Sequence, residues 1–318
     1  MMTNPNQLKI AIAQIAPVWL QKEKTIQKIV TSIKEAGKNK CELIVFGESL
    51  LPGYPFWLSL TNGSEFENQM QKEIYAYYIR NAVQIEEGDL DLICSLAKDY
   101  KIAVYLGITE RAKNRGNHSL YCSLVYISKK GKIKSVHRKL QPTFEERLVW
   151  ASGDGNGLKT HKLKTFCLGG LNCWENWMPL SRTALYGLGE NVHIAVWPGS
   201  DYNTKDITRF IAKESRSYVI SVGSIMRKTD FPEDTPYLDE ILKTSPEFLA
   251  NGGSCISDPK GNWLVAPTIN KEKVIISTIN LQMILEERQN FDVSGHYSRP
   301  DITKLTINRK RQSIIKIK

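Results

Sequence analysis

One thiol stands at the end of an apolar run, in a setting that suits a nucleophile. The segment Gly169-Gly170-Leu171-Asn172-Cys173-Trp174-Glu175-Asn176 continues a run that begins at Phe166. It reads as a strand that ends in a tight elbow with the thiol at its tip, before a helix-like stretch over residues 178–190. The two glycines let neighbouring chain approach closely. The first turn of a helix would leave unpaired N–H groups near the sulfur, favouring a thiolate and any oxyanion beside it. Two other segments share this form. Ile44-Val45-Phe46-Gly47 leads into Glu48, and the strand-like run ending at His137-Arg138 leads into Lys139. A carboxylate can take the thiol proton and later activate water. An ammonium can stabilise negative charge on a tetrahedral intermediate. Thiol, carboxylate and ammonium together are a set for covalent acyl transfer. Taken singly, Cys173 also fits a small core residue, and Glu48 and Lys139 fit solvated surface charges.

The elements that must position these groups alternate along the chain. Residues 8–16 alternate apolar and polar and read as a strand, and Ile26, Ile29, Val30 and Ile33 recur at helical spacing. Residues 43–46 form a short buried strand, and residues 51–80 a Pro/Gly-rich and then aromatic insertion over a site. A helix carrying Leu92, Ile93, Leu96, Ala97 and Tyr100 precedes a strand at 102–108. Strands at 120–127 and 133–137 form a hairpin around Lys129-Lys130-Gly131-Lys132. After the cysteine the rhythm repeats: helix 179–189, strand 194–197, a helix bearing Ile207, Phe210 and Ile211, and strand 219–225. A hairpin of 254–257 with 263–266, a strand at 274–279 and a helix at 281–289 complete it. The class is α/β, with a mixed sheet covered by helices in one domain over residues 1–303. In such sheets active sites gather at strand ends.

The net charge of the 318-residue chain is +10, yet it is unevenly placed. Residues 304–318 hold six basic residues and no acid, so +10 less six leaves +4 over the other 303. That pattern reads as a basic, solvated C-terminal tail, not a nucleic-acid surface, and no helix-turn-helix or RNA-binding signature accompanies it. Six scattered cysteines (Cys41, Cys94, Cys122, Cys167, Cys173 and Cys255) lack C-x-x-C spacing and fit reduced thiols in the cytoplasm. No secretory leader and no apolar run of membrane-spanning length is expected. The five histidines form no metal set. Residues 153–160 fail as a phosphate loop because Leu158 stands where a glycine must precede Lys159.

The three reactive segments resemble the Glu-Lys-Cys triad of the nitrilase, or carbon–nitrogen hydrolase, superfamily. Cys173-Trp174-Glu175-Asn176 resembles its nitrile-acting branch, as do Trp-Ala-Ser-Gly-Asp-Gly-Asn-Gly-Leu at 150–158 and Ser-Gly-His-Tyr-Ser-Arg-Pro-Asp at 294–301. Segments at 193–199, 213–216 and 252–259 are similar too, so the likeness runs from about residue 8 to 301. The resemblance implies a four-layer α-β-β-α sandwich whose protomers pair helix face on helix face, or extend to larger homo-oligomers. It implies Glu48 as general base, Cys173 as nucleophile, Lys139 as stabiliser of intermediates, and Glu146 of Pro-Thr-x-x-Glu-Arg as a second glutamate that orients the lysine or substrate. The Trp174 N–H would help form the oxyanion site. The activity implied is cofactor-free, metal-free hydrolysis of a small-molecule nitrile to acid and ammonia, with no nucleic-acid or membrane partner. Two rivals are a cyanide or nitrile hydratase that stops at the amide, and a catalytically silent oligomeric scaffold. An apolar pocket is expected, with Tyr54, Trp57, Trp150, Trp174, Trp197 and Pro198 as candidate lining. Trp57 and Trp150 fit the core equally well.

Overall fold

The computed structural model describes residues 4–315. In chain order the first half contains β1 Gln7–Gln14, α1 Lys22–Lys38, β2 Leu43–Phe46, α2 Trp57–Leu60, α3 Gln69–Asn81, α4 Asp91–Asp99, β3 Ala103–Arg111, β4 Leu120–Ile127 and β5 Ile133–Arg138. The second half contains β6 His161–Leu163, β7 Phe166–Asn172, α5 Pro179–Gly187, β8 Val192–Trp197, α6 Asp201–Ser215, β9 Tyr218–Gly223, β10 Ile225–Arg227, α7 Leu238–Thr244, β11 Phe248–Ser257, β12 Trp263–Ile269, β13 Lys273–Asn280 and α8 Leu281–Asn290.

Two mixed sheets stack. The first has the order β13-β1-β2-β3-β4-β5, and the second β10-β11-β9-β8-β7-β6 with β12 paired to β11. Both faces of the central strands are apolar because both are covered. In β1, Leu8, Ile10 and Ile12 join Leu124, Leu168, Ile194 and Ile220 in the layer between the sheets. The alternate residues Ala11 and Ala13 pack with Ile29 and Ile33 of α1 and Ile93 and Ala97 of α4. On the far face of the second sheet, Ala195 and Trp197 meet Ile207 and Ile211 of α6. The result is the four-layer α-β-β-α sandwich. Among the described residues no helix is long and apolar enough to cross a membrane.

Strand direction decides where the reactive residues go. β1, β2 and β3 are parallel, and the chain reverses at β4 and again at β5. β5 therefore points the same way as β2, and Glu48 and Lys139 leave the first sheet at one edge. β7, β8 and β9 are parallel in the second sheet, and Cys173 leaves the carboxyl end of β7.

Four expectations need correction. The aromatic insertion at 51–80 contains two helices, because Asn68 caps α3 through its Oδ1 and Ile74 and Tyr78, one turn apart, bury inward. The strand expected over 219–225 is broken at Ser224, which separates β9 from β10. β6 and α7 were not foreseen, since three residues, or seven with one buried, carry too little periodicity. Finally, the tail is not wholly solvated. Ile307 packs against Leu158, Leu171, Ala184 and Leu185. Arg311 pairs with Asp154 at 3.0 Å and donates to Val136 O, while Gln312 N donates to Asp154 Oδ2 at 2.9 Å. The buried Asp154 carboxylate supplies the anchor that a charge count could not show. Lys316 and Lys318 lie outside the described residues.

Candidate active site

Cys173 sits at the first position of a 3-10 turn, Cys173–Trp177, with φ +48°. Left-handed backbone at a non-glycine residue is a strained state that its surroundings must hold. Glu175 Oε2 reaches back across the turn to accept from the Asn172 N–H at 2.9 Å. The glycines before the elbow give way to side chains: a Cβ at Gly169 would lie 2.1 Å from Glu190 Oε1, and one at Gly170 2.9 Å from Leu124 Cδ2. Asn176 Nδ2 donates to the Cys173 carbonyl at 2.7 Å, and Asn176 Oδ1 is held by His193 Nε2 at 2.8 Å.

Glu48 lies two residues past β2, 1% exposed. Its backbone N–H donates to Trp197 O at 3.1 Å, which ties it to the second sheet. Its Oε1 accepts from Lys139 Nζ at 2.9 Å and from Cys122 Sγ at 3.2 Å. Among the described residues Oε2 has no partner. Lys139, also 1% exposed, donates on its other side to Glu146 Oε2 at 2.7 Å. Glu146 Oε1 accepts from the Tyr54 hydroxyl at 2.8 Å, and Oε2 accepts from Thr143 N at 2.7 Å. One donor atom each of Glu48, Glu146 and Cys173 lies within 4.8 Å of the others. The Lys139 ammonium already bridges the two carboxylates, which disfavours a cation in that space.

Burial sets the protonation states. It pushes Glu48 up to about 7, with Lys139 opposing and Glu146 reinforcing. Burial opposes charge on Lys139, but Cys173, Glu48 and Glu146 outweigh it and raise the lysine well above its ordinary value. Cys173 is raised well above the usual thiol value, first by burial, then by Glu48; Lys139 and the Trp174 N–H oppose this. The resting residue is therefore a thiol. The Trp174 N–H favours the thiolate, as the sequence leads one to expect, but burial and the two carboxylates act more strongly the other way.

Glu175 joins the two halves. Its Oε1 accepts from Leu140 N at 2.6 Å, beside Lys139, and its Oε2 from Asn172 N at 2.9 Å, beside Cys173. His137 Nε2 lies 3.0 Å from Oε2. Burial opposes ionisation of Glu175, yet His137 and the two backbone N–H groups hold its carboxyl below the ordinary value.

The six aromatic and proline candidates separate. Tyr54 and Pro198 line a small cavity beside Glu48. Trp150 backs the site, edge-on to Tyr54 at 5.6 Å and with Lys139 Nζ 5.8 Å from its ring centre. Trp57 is fully buried with Trp19 and Tyr78, its N–H on Gln71. Trp197 faces α6, its indole N–H toward Ser221. Trp174 is 46% exposed, and its backbone N–H is directed at the sulfur. Large apolar side chains fill the core before they line a cleft. Pro17, Phe56, Ser224, Ile225 and Met226 complete the cavity wall and were missed. Pro17 follows β1 and Ser224 follows β9, so the strand-end rule that found Glu48 also covers them.

The sequence profile described as carbon-nitrogen hydrolase matches residues 9–289. The chain belongs to the carbon-nitrogen hydrolase family. It is similar to nitrilase 2 from an unknown prokaryotic organism, with 33% identity over 96% of this chain and 94% of that one. A bifunctional nitrilase/nitrile hydratase of Lupinus angustifolius is 29% identical over 96% of this chain and 87% of its own. These full-length likenesses place this hydrolase in the nitrilase branch. The crystal structure of a carbon-nitrogen hydrolase from Helicobacter pylori G27 shares the fold, with TM-score 0.69, 20% identity, and 93% and 96% of the two chains covered.

Proposed function

We propose that the protein is a nitrilase that converts an organic nitrile to its carboxylic acid and ammonia through a covalent cysteine adduct. The observation that carries this is the approach of Cys173, Glu48 and Glu146 within 4.8 Å around a buried lysine. As Cys173 Sγ adds to the nitrile carbon, its proton passes to Glu48 and on to the nitrile nitrogen, giving a thioimidate. Water then adds, losing a proton to Glu48, and forms a tetrahedral intermediate. Lys139 stabilises negative charge there. Glu48 passes that proton, and then the hydroxyl proton, to the nitrogen, which departs as ammonia and leaves a thioester. A second water releases the acid and restores the thiol. If the intermediate expels sulfur instead, the product is the amide; the likeness to a bifunctional nitrilase/nitrile hydratase supports that second outcome. In this reading Tyr54 holds Glu146, and Glu146 holds Lys139.

Residues 1–303 are read as one hydrolase domain with 304–318 as its tail. Exposed Trp177, Met178 and Leu180 at the start of α5, with Tyr202 and Phe210 on α6, support a homo-oligomeric contact between helix faces. Free cysteines support residence in the reducing cytoplasm. The test is release of ammonia, acid and amide from a nitrile panel that includes cyanide, with Cys173→Ala alongside. Acid and ammonia lost in the variant are expected. Amide alone would transfer the assignment to a hydratase, and an inert panel would overturn it, leading to amide substrates and then, if those are inert too, to a silent scaffold.

A further inference from the structure

We propose that Cys122 is a positioning residue for Glu48: its S–H occupies Glu48 Oε1 and leaves Oε2 as the atom that receives the proton. The inference rests on Glu48 being the general base. Cys122 lies on β4, 1% exposed, with Sγ 3.2 Å from Glu48 Oε1. Its carbonyl accepts the Lys139 N–H at 2.7 Å. One residue thus holds the carboxylate with its side chain and the lysine with its backbone. Oε1 carries two donors, Lys139 Nζ and the thiol, while Oε2 carries none among the described residues.

The thiol must be the donor. Burial and the neighbouring Glu48 keep Cys122 protonated, its value raised well above that of a free cysteine. An S–H is a weak donor, so it fixes the carboxylate's rotation while lowering its basicity only a little. The charged and titratable groups facing Glu48 are Lys139 after β5, Glu146 on its 3-10 turn, Cys173 at the elbow, Tyr54 on the loop after β2, and Cys122 itself. Of these, Lys139 and Cys122 donate directly to Glu48.

The test uses Cys122→Ala and Cys122→Ser in the full-length protein, with Glu48→Gln as reference. Two readouts are followed against pH: kcat/KM for a nitrile that the native enzyme hydrolyses, and the rate of iodoacetamide alkylation at Cys173 by peptide mass. Thermal unfolding reports the fold. Removing a hydrogen bond at the weak end of the usual range should lower kcat/KM about two- to threefold in Cys122→Ala. With one donor fewer the carboxylate is less stable, so the acidic limb moves to higher pH in both readouts. Cys122→Ser restores a stronger donor, so the limb returns to the native position or below and activity recovers. Unchanged limbs in both variants, or losses that follow only the unfolding temperature, would reduce Cys122 to a core filler and overturn the inference. A Glu48→Gln enzyme that still turns over would instead refute the base assignment on which it stands.

Discussion

Exchange of Glu48 for glutamine should make the protein more stable while abolishing its chemistry, and by an amount that depends on pH. Glutamine has the shape of the neutral carboxyl and can still accept from Lys139 and Cys122. In the native fold burial raises Glu48 from 4.5 to about 7. A carboxyl whose folded value exceeds its unfolded one binds its proton more tightly in the fold. Its contribution is fully present below pH 4.5 and is lost as pH rises through about 7. At about 1.4 kcal/mol per unit of separation, the ionised carboxylate costs the fold about 3 kcal/mol above that window. Glutamine never ionises and escapes the cost. For a chain of 318 residues, with an unfolding entropy of about 2 cal/mol/K per residue, that is roughly 5 °C in Tm. Differential scanning calorimetry of both proteins from pH 4.5 to 8.5 should show curves that nearly coincide at the acid end. They should separate through neutrality and run parallel above it, with glutamine on top. A separation that is flat with pH, or a native protein more stable at pH 8, would refute the claim that Glu48 is held against its preference.

Three further outcomes follow from the same geometry. Glu175→Gln puts an amide N–H against a backbone N–H and leaves His137 without its carboxylate; the loss of a buried pair should cost about 3 kcal/mol or more, with a fall in kcat beyond the change in folded fraction, measured by denaturant titration alongside initial rates. Trp57→Phe should lower the midpoint of thermal unfolding without altering KM, since Trp57 packs on Trp19 and Tyr78, whereas Met226→Ala, on the cavity wall, should change KM across nitriles of different bulk.

The meeting of Glu48, Lys139 and Cys173 was legible because each follows a strand-like run, and strand ends of one direction share an edge. Glu146 stands on a 3-10 turn and was legible only through likeness to a family. Cys122 lies inside a mostly apolar strand, where nothing local separates a thiol that touches a carboxylate from one that fills space. Its role depends on a neighbour 74 residues away. Trp57 and Trp197 turn into the core while Trp150 backs the site, because residue type fixes burial, not which side of a core a ring faces. The anchoring of the tail escaped notice because Asp154, which holds it, reads in sequence as one more loop acid.

The reacting groups straddle a seam. Glu48 and Lys139 hang from one sheet and Cys173 from the other. The apolar layer between the sheets supplies cohesion but little registry, because hydrophobic burial has no direction. Sideways slip is instead opposed by a few bolts at the rim: Glu48 N on Trp197 O at 3.1 Å, Leu140 N on Glu175 Oε1 at 2.6 Å, and Ile225 N on Ile15 O at 3.3 Å. Adhesion and alignment are thus assigned to different parts of the molecule. Volume-conserving exchange in the greasy layer can accumulate as drift in sequence, while the spacing of sulfur, carboxylate and ammonium is kept by bonds that are largely main-chain and so insensitive to which side chains lie between.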